Sequence, residues 1–335
     1  MQKITVLKNP VYFEGYSSVG GFEEGEGPLG DKFDFLDPTD LFGMKTFEKA
    51  ESEMSRIALN IALKKLSLSP KELDLIVAGD LQNQCVASSG GLFSFGVPFL
   101  GLYGACSTCT ESLLVLSAML SSSKNYTRGA AVTSSHNCVA ERQFRTPLEY
   151  GGQRAPSAQW TATASGAFIL GKEPTRVKIS AFMPGRAIDG YTKDASNMGS
   201  AMALAAADSI LSFFENNDPA DFDLVITGDL GMIGSSILCE LLCDKSNHGK
   251  ELSKKHRDCG LLLFDKDKYD VHSGASGCGC SASVLASHFL PSLERGELNR
   301  ILFLSTGALM SASSVIQGEH ILGIAPLIVI EREKL

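Results

Sequence analysis

The chain has 335 residues, 44% hydrophobic and 20% charged, with a formal net charge of -8. This balance excludes a disordered chain and argues against a nucleic-acid backbone as partner, because an acidic surface repels phosphates. It leaves room for a small anion held by a local group of Arg and His.

The opening stretch MQKITVLKNPVYF lacks the apolar segment of a signal peptide. No run approaches the ~18 apolar residues of a membrane span, so any membrane association is expected to be peripheral. Ser18 to Gly30, SVGGFEEGEGPLG, is glycine-rich but acidic, and reads as a loop rather than a phosphate cradle. KAESEMSRIALNIALKKL then has helical spacing, and SPKELDLIVAGDL (Ser69 to Leu81) leads into a buried strand. The stretch LYGACSTCTESLLVLSAML places Cys106 where a loop becomes a helix, and NYTRGAAVTSS follows as a strand.

Beyond it lies a loop rich in cations and amides: His136, Asn137, Arg142, Arg145, Gln153, Arg154 and Gln159. Trp160 is expected in the core, and TATASGAFILGKE closes this part as a strand. The second part opens with the helical MGSAMALAAADSILSFF and the strand of DPADFDLVITGDL (Asp218 to Leu230). Asp244 to Gly260 is polar and mixed in charge, and reads as an exposed excursion. HSGASGCGCSAS leads into a helix, and ILFLSTGA and HILGIAPLIVIERE supply the last strands.

These segments form a repeat. Ser69–Leu81 aligns without gaps on Asp218–Leu230, and Cys106–Arg128 on Cys278–Arg300. Two independent matches in the same order imply duplication, with halves at residues 1–174 and 175–335. Helices alternating with apolar strands imply an α/β architecture with sheets covered on both faces.

The nine cysteines are odd in number and lie in small or apolar contexts, which suits free thiols in a reducing compartment. Cys239/Cys243 and Cys278/Cys280 lack a second pair at zinc-ribbon spacing, so no metal is expected. No cofactor motif stands out.

Duplicated halves with a cysteine opening the central helix of the first resemble the thiolase superfamily. GACST, AMALAAADSI, SGASGCGCSAS and STGALMS carry the resemblance. It implies a five-layered αβαβα sandwich with a cleft between the halves. SSHNCVAERQFRTPLEYGGQRAPSAQWTATASGA and ASGCGCSASVL narrow it to a sporulation branch of that superfamily. Members of that branch, from spore-forming Firmicutes, bind pyridine-2,6-dicarboxylic acid (dipicolinic acid).

A thiol at a helix N-terminus faces free N–H groups, which lower its pKa and favour thiolate. Acyl transfer by the superfamily also needs His/His or His/Asn partners. Gly228 or Asp229 stands where a condensing enzyme has His. His272 is one residue out of register with the thiolase motif and lacks its following Pro. STGALMS has no second cysteine. The expectation is a pseudoenzyme, with Cys106 a vestigial nucleophile and no catalytic residue. The rival is a divergent ketoacyl synthase or thiolase using Cys106, and a third reading is a structural subunit with a vestigial pocket.

The candidate ligand-binding residues are Cys106, Ser107 and Thr108 at the helix start, with His136, Arg142, Gln159 and His272. Arg is favoured for a carboxylate because its fork grips both oxygens. The blander alternatives are Arg142 at a surface or subunit interface, His136 as a structural histidine and Cys106 as a small core residue. The resemblance implies binding of dipicolinate, alone or as its calcium chelate, and support of its uptake into the developing spore. It also implies a homodimer in the spore, cytoplasmic or peripheral at the inner spore membrane, with the other stage V A sporulation proteins as partners.

Overall fold

The computed structural model describes residues 2–144, 154–268 and 270–333. The first half runs β1 Thr5–Gly20, α1 Phe47–Lys65, β2 Leu75–Gly79, β3 Phe99–Gly101, α2 Thr108–Ser122, β4 Arg128–Ser135, α3 Asn137–Phe144 and β5 Ala164–Gly171. The second runs β6 Val177–Met183, α4 Met198–Phe214, β7 Leu224–Thr227, α5 Gly231–Lys245, α6 Gly249–Lys255, β8 His256–Asp258, α7 Cys278–Val284, β9 Arg300–Leu304 and β10 Leu327–Arg332.

The main sheet has 11 strands, ten of them in the order β8-β7-β9-β10-β6-β1-β5-β4-β2-β3. Outward from the centre each side reads alike: an antiparallel neighbour, then strands parallel to one another. β1 and β6 join the sides as an antiparallel pair, with Thr5 opposite Phe182.

Alternating side chains produce the layers, because successive residues of a strand face opposite ways. In β2, Leu75 and Val77 enter the central core, packing with Leu113 and Leu116 of α2. Ile76 and Ala78 turn to the outer layer, onto Met54, Ala58 and Leu59 of α1. In β9, Ile301 and Phe303 join the central core, while Leu302 and Leu304 face Ala203, Ala206 and Ile210 of α4. The stack is therefore α1, sheet, α2 with α7, sheet, α4 with α5, the αβαβα order the sequence implies.

Small residues set the closeness of the central helices. A Cβ on Gly279 of α7 would lie 2.1 Å from the Ala164 carbonyl oxygen, so backbone there meets backbone. α1 is capped by Thr46, whose side chain accepts from the Lys49 N–H, and α4 likewise by Asn197 from Ser200.

Three local readings change. Ser18–Gly30 is no simple loop: β1 continues to Gly20, and a single helical turn, Phe22–Gly25, buries Glu24. Asp244–Gly260 contains α6 and the edge strand β8, in which His256 and Asp258 are buried. Trp160 is only half-buried, packing at the margin of the central core with the Arg154 guanidinium 5.0 Å over its ring. All nine cysteines are free.

Candidate functional site: an acid against the helix-tip cysteine

The turn before α2 presents Cys106 to the cleft. Ala105 takes a left-handed conformation, φ +52°, costly for a residue with a side chain. Local hydrogen bonds hold it. The Thr108 hydroxyl donates to the Ala105 carbonyl at 2.7 Å and accepts from the Gly104 N–H at 3.1 Å. The Ser107 hydroxyl lies 2.6 Å from the Gly104 carbonyl and 2.7 Å from the Glu111 carboxyl. Ser107 and Thr108 thus build the turn.

Cys106 is buried, and the carboxyl that acts on its thiol is that of Asp229, just past the C-terminal end of β7. Asp229 also accepts from the Gly277 N–H at 2.9 Å and the Thr306 hydroxyl at 2.8 Å. Burial raises its pKa to about 7. Burial first, then the negative charge of Asp229, push the Cys106 thiol well above its ordinary value. The sequence reading, a pKa lowered by the helix tip, is therefore reversed. A dipole worth a fraction of a charge is outweighed by desolvation and an adjacent acid. Ser305 continues the buried hydroxyl network, bonding Thr110 at 2.8 Å and Ser281 at 3.1 Å.

A cavity of about 30 Å³ lies over Cys106, room for about one water. Its walls include Leu81, Ala140, Phe144, Met198 and Met310, with hydroxyls from Thr161 and Ser276. None of the six histidines lines it. Phe144 and Met310 also line an outer groove of about 440 Å³ with Asn83, Gln84, Tyr103 and Gln143, a ligand-sized space. Asn83, Gln84 and Gln143 are shared with a recess that contains Arg142, Glu48 and Gln82.

The groove rim is strained and pinned. Gln84 and Cys85 are both left-handed, φ 59° and 54°. Buried Asp80 clamps both arms of that turn, accepting from the Gln82 N–H and the Ser88 N–H, each at 2.8 Å. Gln143 ties it to α3, donating to the Leu81 carbonyl at 2.7 Å and accepting from the Asn83 N–H at 3.1 Å.

The sequence candidates separate. Cys106 lines the inner cavity. Gln159 lies behind it, donating to the Asp229 carbonyl at 2.7 Å and the Ala275 carbonyl at 2.9 Å. Arg142 lines the outer recess and ion-pairs with Glu48 of α1. His136 is buried elsewhere, Nε2 2.9 Å from the Asp40 carbonyl and its ring 5.1 Å from that of Phe47. His272, left-handed at φ 43°, pairs with Asp270 at 2.8 Å. Arg145 and Gln153 lie outside the described residues. Asp229, Phe144 and Met310 were not among the candidates. For Asp229 a signal existed: the repeat sets it opposite Asp80, and both are buried acids closing a strand.

Fold and site together define a thiolase-type α/β protein with a helix-tip cysteine facing an acid rather than an imidazole. Solved structures with this fold include OleA from Xanthomonas campestris, with TM-score 0.60 at 12% identity over 97% of this chain and 99% of that one. Another is 3-oxoacyl-[acyl-carrier-protein] synthase III from Aquifex aeolicus VF5, with TM-score 0.56 at 13% identity over 95% and 99%.

The chain belongs to the Stage V sporulation protein AD family, whose profile it matches over residues 1–331. It is 40% identical over 329 residues to Stage V sporulation protein AD of Bacillus subtilis (strain 168), covering 98% of this chain and 96% of that protein. No helix among the described residues is long and apolar enough to cross a membrane.

Proposed function

We propose that this sporulation-family protein binds dipicolinate without transforming it, and supports its uptake into the developing spore. The observation that supports binding without chemistry is the buried Asp229 carboxyl beside the Cys106 thiol, whose charge adds to burial in raising that thiol's pKa. Thiolate formation there would place two negative charges together in a buried site, with no imidazole lining the cavity to share the proton. An acyl oxyanion would meet the same acid.

The outer groove suits the ligand better than the inner cavity, which is too small for an aromatic dicarboxylate. It offers amides from Asn83, Gln84 and Gln143, an aromatic face at Phe144 and the guanidinium of Arg142 in the joined recess. Arg142 grips one carboxylate in place of Glu48, and the amides bond the other.

The chain acts as a homodimer, peripheral at the inner spore membrane beside the other stage V A proteins. Support for a dimer comes from the edge strand β3, exposed throughout and flanked by Phe93 at 79% exposure and Val86 at 51%. An open, apolar sheet edge invites pairing with another chain.

The alternative, acyl transfer, is favoured by the retained cysteine and the left-handed Ala105 that presents it. Incubation with acyl-CoA followed by intact-mass measurement separates the two. An unmodified chain supports binding alone, whereas an adduct mapped to Cys106 supports the enzyme.

A further inference from the structure

The turn that forms the groove rim hangs from two buried acids. Asp80, just past the end of β2, accepts from the Gln82 N–H at 2.8 Å, and from the Ser88 N–H at 2.8 Å and hydroxyl at 2.6 Å. Glu51 of α1 accepts from the Gln82 side-chain amide at 2.8 Å. One residue thus bridges both carboxyls, its main chain on Asp80 and its side chain on Glu51. Glu51 is 1% exposed and Asp80 0%.

Two carboxylates held together out of water do not both carry charge, so one keeps a proton. The donors say which. Three reach Asp80, and two of them are the backbone N–H groups on either side of the left-handed Gln84 and Cys85. Glu51 Oε2 meets the Gln82 amide, and Oε1 lies 3.2 Å from the Ser134 hydroxyl oxygen, long for a contact with a charged oxygen. The charge therefore sits on Asp80 and the proton on Glu51. Burial first, and then the Asp80 charge, push the Glu51 carboxyl up in the same sense.

Other titratable groups face the pair. Cys85 on the turn, Tyr103 in the groove wall and Cys278 at the start of α7 face Asp80, and Cys278 also faces Glu51. Burial raises all three, so they stay neutral while Glu51 titrates. Glu48 and Arg142 lie at the outer recess, paired with each other.

We propose that Glu51 is a positioning residue for the groove rim: its proton lets the charged Asp80 hold the turn, and loss of that proton releases Asn83 and Gln84 from the groove. This rests on the reading of the groove as the dipicolinate site, and adds that occupancy of the site is linked to a proton on Glu51. The closed rim is the protonated form, so closure is complete at low pH and is lost as pH rises through the folded value of Glu51.

Hydrogen exchange of the full-length chain, corrected for the intrinsic pH dependence of exchange, tests the rim without a ligand. Between about pH 6 and pH 9, peptides covering Gln82 to Ser88 should lose protection while those covering β7 keep it. In Glu51→Gln, which keeps the shape of the protonated acid, the rim should stay protected throughout. Calorimetry over the same range should show dipicolinate affinity falling about tenfold in the wild type and holding in Glu51→Gln. A rim that follows this pattern with no dipicolinate heat refutes the ligand reading alone and upholds the proton-held rim. Wild-type rim protection that ignores pH overturns the proposal. So does the same pH dependence in Glu51→Gln, or a loss shared equally by β7, which is general unfolding. Should the variant fail to fold, the wild-type profile alone decides.

Discussion

The buried Asp229 carboxyl acts on the buried Cys106 thiol, and after burial itself its charge is what pushes that thiol up. The same carboxylate takes the Gly277 N–H and the Thr306 hydroxyl. One acid thus joins the segments that carry Gly277 and Thr306, beside the cysteine that opens α2.

Replacing Asp229 should relieve that upward push. Asp229→Asn removes the negative charge while keeping an acceptor near the thiol. The Cys106 pKa is expected to fall, though burial still holds it up. Alkylation mapped by peptide mass should be faster at Cys106 than in the wild type at neutral pH. An unchanged or slower rate would mean that Asp229 does not control the thiol.

Arg142 and Glu48 make opposed predictions. Arg142→Ala removes a charged hydrogen bond and is expected to weaken dipicolinate binding by ~1.5–3 kcal/mol. Glu48→Gln removes the competing anion and is expected to tighten it. Calorimetry of both variants checks the pair. Unchanged affinity in Arg142→Ala takes that residue out of the site.

Buried acids predict the pH dependence of stability. Desolvation raises Glu24 to about 8, Asp229 to about 7 and Asp258 to about 6, and raises Glu51 beside Asp80. Each holds its proton more tightly folded than unfolded, so its contribution is full below the unfolded pKa near 4 and is lost as pH rises through the folded value. Thermal midpoints should fall between about pH 5 and pH 8. Glu51→Gln should flatten that fall and gain of order 1–2 kcal/mol at the alkaline end. A midpoint that rises over this range contradicts the account.

Gly279→Ala tests the central layer. Its Cβ would overlap the Ala164 carbonyl oxygen, backbone that cannot swing aside. A loss of roughly 1–3 kcal/mol in denaturant unfolding is expected. A neutral result would mean that α7 does not pack against β5 as described.

The sandwich was legible because its strands are buried and duplicated: DLIVAGDL and DLVITGDL announce the same position in each half. The sign of the Cys106 shift was not. A helix tip can be read from local sequence, but the acid facing it comes from a strand in the other half. Glycines and acids made Ser18–Gly30 look like a loop, although Glu24 is buried there, accepting from the Thr163 N–H at 2.9 Å. Mixed charge made Asp244–Gly260 look like an excursion, although His256 and Asp258 turn inward from it. The groove rim could not be read, because Gln84 and Cys85 carry no mark of a left-handed backbone.

The most direct measurement is a calorimetric titration of the full chain with dipicolinate, followed by intact-mass measurement of the same sample. The account predicts saturable binding, weakened by Arg142→Ala, and an unchanged protein mass. Absence of any binding heat, together with failure of dipicolinate to displace any competitor, would contradict it.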